Sequence, residues 1–304
     1  MTSIDLETLL TIIFVLIDDW YQARGGRMMK GKVGRKPSFS DSEGMTLMVA
    51  EDYIPYPAEM QYLAFIRANY LPLFPQLLDQ SQFNRRARGL RHLVEALRRE
   101  WLMELGVGQA DKYLIDTKPV PVLAYKRSKA RSDFRGSADY GYCASRNLHY
   151  FGYTLVLIAT LDGIPVVYDL VSANTEERQA AETILDEVSN AEILGDKGFV
   201  GGEWQAQIQQ RTGNTLLTPK RKNQKIQHPD GFEQLLNRVR ERIEGVFHEL
   251  QNTGRNLERL LAKTVLGLTT RLIAKVTAHL LKYLLRLRYG IHVQTFQWSS
   301  VHAF

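Results

Sequence analysis

Apolar residues recur at helical spacing through the first third of the chain. Four segments are predicted to be helical from their apolar residues and end signals, and they span residues 3–23, 40–53, 58–71 and 81–104. The pattern predicts an N-terminal region that is built only of helices.

Two of these helices carry recognisable end signals. Ser40 and Glu43 have the spacing of a capping box, in which each side chain satisfies a free backbone donor of the other residue. Ser3 is the predicted N-cap of the first helix. Gly25 and Gly26 are predicted to end that helix, because glycine is common just beyond helix ends.

The pattern changes after Lys112, where short apolar runs and alternating segments predict β-strands. Residues 148–160 are the clearest strand, since they alternate and are rich in aromatic and β-branched types. Residues 117–147 are polar and predict irregular structure. The predicted strands are residues 113–116, 148–160, 164–171, 192–196 and 215–218, with helices at 175–188 and 203–211.

The last part of the chain returns to a helical period, which predicts helices over residues 233–251 and 257–288. Residues 293–304 show no period and predict an irregular tail. The fold class predicted is therefore α/β. A helical region of residues 1–108 precedes a domain of residues 109–292, which has a mixed five-stranded sheet with flanking helices.

Composition narrows the class of protein. The chain has 304 residues, 44% of them hydrophobic, which is enough for a sizeable core, and its net charge of +6 favours an acidic partner such as nucleic acid. A single cysteine, Cys143, excludes an internal disulfide framework and a zinc site of several thiolates. The apolar run of residues 9–17 is too short to span a bilayer. We therefore expect a soluble, cytoplasmic protein with no membrane association, which in a bacterium would be associated with the nucleoid.

Positive charge is concentrated in two helical segments. The helix of residues 81–104 interleaves arginines with apolar residues, which suits a DNA-binding helix but equally an amphipathic helix with a basic outer face. Residues 257–288 are also basic, and we expect them to pack on the core and to contact DNA non-specifically. The arginines of the first segment are Arg85, Arg86, Arg88, Arg91, Arg98 and Arg99.

Three acidic residues are candidates for a common site. Asp116 and Asp196 each end a predicted strand, and the strand order places these two ends side by side. A helix that crosses the sheet can supply a third carboxylate. Glu244 lies at the edge of the apolar stripe of such a helix, which predicts that it is partly buried.

Each acid also has a purely structural interpretation. Asp116 could form a turn at a strand end, and Asp196 could shape a turn between glycines. Glu244 could pair with Arg240 at helical spacing, which is worth only a few tenths of a kcal/mol.

A cluster of carboxylates would suit the cleavage of phosphodiester bonds. The attacking hydroxyl must lose a proton and the leaving oxygen must have its charge neutralised, and two divalent ions about 4 Å apart do both. Mg²⁺ demands hard oxygen ligands, so carboxylates are the fitting residue type. The histidines show no metal-ligand spacing and have no predicted role.

Four short segments are recognisable together. They are residues 81–86 (SQFNRR), 114–122 (LIDTKPVPV), 193–199 (ILGDKGF) and 240–247 (RERIEGVF). With them the chain resembles bacterial insertion-sequence transposases of the DDE type, and most closely the IS982 family. The likeness runs from about residue 40 to about residue 289.

The resemblance implies an RNase H-like core in which Asp116, Asp196 and Glu244 are the catalytic carboxylates and hold two Mg²⁺ ions, with Mn²⁺ as an alternative. It implies double-stranded DNA as the partner, both the terminal inverted repeats and the target. Because two element ends must be joined, we expect a homodimer or a larger assembly on DNA.

Related transposases carry a Tyr, Arg, Glu, Lys signature on the last helix of the core. Arg240 and Glu244 match two of its positions, whereas Asn237 and Gln251 stand at the tyrosine and lysine positions. Lys118 and Lys197 lie beside the carboxylates, and our hypothesis is that they bind DNA phosphates instead. The residues that we expect to bind DNA are Lys118, Lys197, Arg240, Arg85 and Arg86.

Three functions remain open at the level of sequence. The first is an active transposase that cleaves DNA and transfers strands, and the presence of all three carboxylates favours it. The second is an inactive, transposase-derived DNA-binding protein. The third is a stand-alone RNase H-like nuclease, against which the extra helices and basic segments argue.

Overall fold

The computed structural model describes residues 4–29, 37–56, 58–123, 132–220, 231–254 and 256–293. The N-terminal region is helical, as predicted. Its helices are α1 (Leu6–Trp20), α2 (Gly26–Met28), α3 (Asp41–Ala50), α4 (Glu59–Asn69) and α5 (Gln80–Glu104).

The helix ends agree with the sequence at one site and differ at two others. The capping box of Ser40 and Glu43 is confirmed, with both reciprocal hydrogen bonds present. Helix α1 is capped by Asp5, whereas Ser3 lies outside the described residues. The prediction that glycines end α1 is wrong, because a π-helical turn over Tyr21–Gly25 leads directly into α2.

Gly25 has a packing role in place of the predicted terminating role. A Cβ atom at Gly25 would lie 2.5 Å from the Trp20 ring, so the glycine allows the indole to lie against the backbone. Trp20 is 7% exposed and belongs to the core.

The arginine-rich helix α5 is largely engaged within the protein. Arg98 is 3% exposed, pairs with Glu95, and donates a hydrogen bond to the carbonyl oxygen of Val166 at 2.9 Å. Its guanidinium also lies 5.0 Å from the centre of the Tyr168 ring. Arg98 therefore ties the helical region to the sheet.

The described residues form one six-stranded sheet. β3 lies between β1 on one side and both β2 and β4 on the other, and all three pairings are antiparallel. Beyond β1, β5 and then β6 pair in parallel. The strands are β1 (Lys112–Leu123), β2 (Asp139–Cys143), β3 (Leu148–Thr160), β4 (Pro165–Ser172), β5 (Glu192–Gly195) and β6 (Thr215–Leu217).

The sequence pattern predicted too few strand residues between positions 117 and 147. β1 continues to Leu123, and β2 adds a sixth strand, because the long β3 offers pairing positions to both. Pro119 and Pro121 are tolerated in β1. Because they are two residues apart, both lack an N–H group on the same edge of the strand. Beyond Ile115, β3 is the only strand among the described residues that pairs with β1.

The remaining helices are α6 (Glu177–Leu185), α7 (Gly202–Thr212), α8 (Phe232–Asn252) and α9 (Val265–Tyr289). Helix α9 contributes buried residues to both hydrophobic clusters of the described residues, so its predicted packing on the core is confirmed. None of the described helices combines the length and the apolar character needed to cross a membrane.

The two faces of the sheet bury different helices. Tyr113 and Ile115 of β1 belong to the cluster that contains α5 and α6. Leu114 and Val120 point to the other face, into the cluster that contains residues of α8. This second face is the one that positions the candidate site.

Candidate active site

Asp116 and Asp196 are brought together by parallel strand pairing. Ile115 of β1 and Gly195 of β5 form the last aligned pair of the two strands. Asp116 is the next residue of β1, and Asp196 directly follows the end of β5. Neighbouring strands lie about 4.8 Å apart. The prediction that the first and fourth predicted strands lie side by side is therefore confirmed. Asp116 differs from its predicted position only in that β1 continues past it.

Both aspartates lie toward the face covered by α8. Side chains alternate along a strand, so Asp116 points the same way as Leu114, whose side chain packs in the cluster with α8. Asp196 stands two residues after Leu194, which packs against that cluster as well.

One oxygen of each carboxylate is fixed by the backbone. The N–H of Thr117 donates to Asp116 Oδ1 at 2.7 Å, and the N–H of Lys197 donates to Asp196 Oδ1 at 2.6 Å. Asp196 thereby caps the 3₁₀ turn of Lys197–Phe199. Both side chains are half-buried. Their orientation is set by local structure.

Two glycines flank Asp196 because other groups occupy the space beside them. A Cβ at Gly195 would lie 2.8 Å from the Phe199 ring and 2.9 Å from Ile115 Cγ2, so Gly195 lets the chain fold closely against β1. A Cβ at Gly198 would lie 1.3 Å from Glu177 Oε2. The glycines therefore do more than shape a turn, because they admit the neighbours that define the site.

Glu177 is a site residue that the sequence did not indicate. It is the first residue of α6, and its Oε1 accepts a hydrogen bond from Thr117 Oγ1 at 3.3 Å. The pKa of Glu177 is raised, first because the carboxyl is partly desolvated and then because the charge of Asp196 is near, while the bond from Thr117 lowers it. An acid in the first turn of a helix is common, so its position carried no distinguishing signal.

Glu244 lies on the helix that covers the aspartates. Helix α8 contacts both β1 and β5, and its buried residues Ile243, Val246 and Phe247 pack on the same face of the sheet. Glu244 itself is exposed, so the prediction of partial burial is wrong. It is one residue after Ile243, a rotation of about 100° around the helix that takes it off the buried stripe.

The described residues contain no group of three or more His, Cys, Asp or Glu gathered closely enough to hold a metal ion. The three predicted ligands therefore do not form a complete cluster in this structure. Their donor chemistry nevertheless fits Mg²⁺, which commonly takes one or two carboxylates, several waters and the phosphates of the substrate. Asp116 and Asp196 supply such a pair of hard oxygen donors.

The predicted DNA-binding residues differ in how accessible they are. Lys197 and Arg85 are exposed, whereas Arg86 pairs with Asp41 at 2.7 Å. Lys118 lies 4.0 Å from Glu258, which also binds Arg146. The side chain of Arg240 lies outside the described residues.

A known protein family covers the half of the chain that contains the candidate site. Residues 108–260 match the family described as "Transposase DDE domain". The chain belongs to this family. Searches among curated proteins and among solved structures found no match.

The matched region of this transposase DDE domain contains β1 to β6 and α6 to α8, and so all three predicted carboxylates. Helices α1 to α5 and α9 lie outside it. Membership supports a transposase function in general, with DNA as the partner and DNA cutting and transfer as the activity of the family. It also supports a divalent metal ion as cofactor, since domains of this type generally use one.

Proposed function

We propose that this protein is the transposase of an insertion sequence related to the IS982 family. It cleaves DNA at the ends of the element and joins them to target DNA in a Mg²⁺-dependent reaction. The observation that carries the proposal is the parallel pairing of Ile115 with Gly195, because Asp116 and Asp196 directly follow this pair and lie toward one face of the sheet.

The arrangement of the sheet supports an RNase H-like core. A central β1 has an antiparallel neighbour, β3, on one side and a parallel neighbour, β5, on the other, and β4 and β6 extend the sheet outward. The pairing of β1 with β5 agrees with the predicted adjacency of the first and fourth predicted strands, and β2 is a strand that was not predicted.

We assign Asp116 and Asp196 the role of holding the divalent cations, with Glu244 as the third carboxylate when DNA and metal are bound. The cations, when present, activate the attacking hydroxyl and neutralise the leaving oxygen. The backbone hydrogen bonds to Asp116 and Asp196 keep both carboxylates oriented before any cation arrives.

Basic residues near the aspartates are suited to hold the DNA backbone. Lys197 is exposed beside Asp196, and Lys118 stands two residues after Asp116 on the same strand. The N-terminal helices provide further exposed positive charge at Arg85. We propose that these residues bind phosphates of the element end, and that a homodimer brings two ends together.

A cleavage and strand-transfer assay tests the proposed function. Duplex DNA with the ends of the element that encodes the chain is incubated with the protein in Mg²⁺, in Mn²⁺ or in a chelator. We expect nicks at the element ends and joined products with either ion, and none with the chelator. The inactive DNA-binding alternative predicts salt-dependent binding without nicks. Cleavage of any duplex or hybrid, without joined products, would instead indicate a stand-alone nuclease.

A further inference from the structure

The carboxylate of Glu177 spans the two segments that carry the aspartates. Its Oε1 accepts the hydrogen bond from Thr117, the residue after Asp116. Its Oε2 occupies the space that a side chain at position 198 would need, two residues after Asp196. One side chain therefore contacts both halves of the candidate site.

Rigid packing holds Glu177 in this position. Ala180, Ala181 and Ile184 of α6 are almost fully buried, and the helix contacts β3 and β4. Small residues at positions 180 and 181 let the helix approach the sheet closely. The carboxylate is thus presented by a fixed helix end, and Gly198 leaves room for it.

The charge of Glu177 has no counter-ion in the part of the chain that the structure describes. The neighbouring Arg178 pairs with Glu176, at 3.8 Å. Meanwhile Asp196 is near enough for its charge to act unfavourably on Glu177. Two like charges held close together lower the stability of the folded protein, and a bound cation would relieve this repulsion.

We propose that Glu177 is a positioning residue of the metal site, which strengthens cation binding by Asp116 and Asp196 through its negative charge and its contacts with both segments. This inference rests on the proposed function. Glu177 acts from the face of the sheet opposite α8, because side chains alternate along β1 and Thr117 therefore points to the face opposite Asp116. It therefore adds to the role assigned to Glu244 and does not replace it.

The test compares Glu177→Gln with Glu176→Gln in the full chain. Both changes remove one negative charge at the start of α6, and the Glu177→Gln side chain can still accept the bond from Thr117. Thermal unfolding is followed without DNA, first in a chelator and then in increasing Mg²⁺ or Mn²⁺ alone. In the chelator, Glu177→Gln should unfold about 2 °C higher than the wild type, because a repulsion has been removed.

The cation titration separates the proposal from a simple structural role. The cation concentration that gives half of the stabilisation should rise roughly tenfold in Glu177→Gln and stay unchanged in Glu176→Gln. A lower unfolding temperature in the chelator, with an unchanged titration, would overturn the proposal and leave Glu177 as a structural contact.

Two further variants keep the outcome interpretable. Gly198→Ala displaces the Glu177 carboxylate without altering charge, and it should weaken cation binding as Glu177→Gln does. If the cation does not stabilise the wild type, or if it stabilises Asp196→Asn to the same extent, the proposed metal site itself has failed. If the wild type shows this stabilisation and Glu177→Gln matches the wild type, only the inference about Glu177 has failed.

Discussion

Ile115 and Gly195 are the last two residues that pair between the parallel strands β1 and β5. Their pairing determines that Asp116 and Asp196 leave the paired region side by side. Neither aspartate is unusual in its local structure, since Asp169 also accepts a hydrogen bond from the next backbone N–H. What distinguishes them is the strand register.

Glu244→Gln should abolish most DNA cleavage while leaving DNA binding near the wild-type level. The change keeps the size of the side chain but removes the charge that we assign to a metal ligand, and the loss should be on the order of 100-fold or more. Glu241→Gln, an exposed change one turn earlier on α8, is the control. Equal cleavage by the two variants, measured on nicked-product gels, would remove Glu244 from the site.

Gly195→Ala should lower the free energy of unfolding by about 1–3 kcal/mol, because the new methyl group would press on Phe199 and Ile115. Phe199 and Ile115 are both 1% exposed, so neither can easily yield. Gly202→Ala is the matched control, since nothing lies within 4 Å of the position of its Cβ. Urea unfolding of both variants should show a loss only for Gly195→Ala, and a similar stability for the two would contradict the packing described.

Glu258→Gln should tighten non-specific DNA binding. Glu258 is bound by Arg146 at 3.0 Å and lies 4.0 Å from Lys118, so losing its charge releases two basic side chains, one of them two residues from Asp116. Each basic side chain that gains a phosphate contact should steepen the slope of log K, the DNA-binding constant, against log salt concentration by about 0.9. Glu192→Gln, whose charge pairs with Lys112, changes the net charge equally. An identical slope for both variants would show that the position of Glu258 is irrelevant.

Stability should fall as the pH drops from about 6.5 to about 4, through His279. Burial lowers the pKa of His279 from its usual 6.5 to about 4, so the folded protein keeps this ring neutral while the unfolded chain takes up a proton. The contribution of neutral His279 to the free energy of unfolding is therefore complete above the pKa of the ring in the unfolded chain. It is lost as the pH falls toward the pKa of the ring in the folded protein, by ~3 kcal/mol at most. Chemical unfolding across this range should be flatter for His279→Gln than for the wild type. His248→Gln, an exposed change, should leave the curve as it is.

The sequence predicted those elements whose period or end signals were strong. Helix α5 follows a clear apolar period. Helix α3 is buried on nearly all sides, and its sequence signal is the capping box of Ser40 and Glu43, which forms as expected. Strand β2 was missed because its alternation is short and lies in a polar segment, and its pairing comes entirely from the distant β3. Tertiary pairing of this kind leaves little trace in a local pattern.

The candidate site was predictable only in part. The order of the strands was enough to place Asp116 beside Asp196. Glu177 could not be recognised, since its role depends on Thr117 and Gly198, which approach it only in the folded chain. The predicted partial burial of Glu244 was wrong. Neighbouring residues on a helix differ by about 100° of rotation, and this rotation determines whether a residue at the edge of the buried stripe is buried or exposed.

A change of metal preference tests the central claim most directly. Asp196→Cys replaces a hard oxygen donor with a softer thiolate, which binds Mn²⁺ better than Mg²⁺. Strand cleavage at the element ends is measured for this variant and for Asp169→Cys, each in Mg²⁺ and in Mn²⁺. We predict that Asp196→Cys loses cleavage in Mg²⁺ and regains a part of it in Mn²⁺, while Asp169→Cys cleaves with both ions. Wild-type cleavage by Asp196→Cys in Mg²⁺ would contradict the claim that Asp196 holds the catalytic metal.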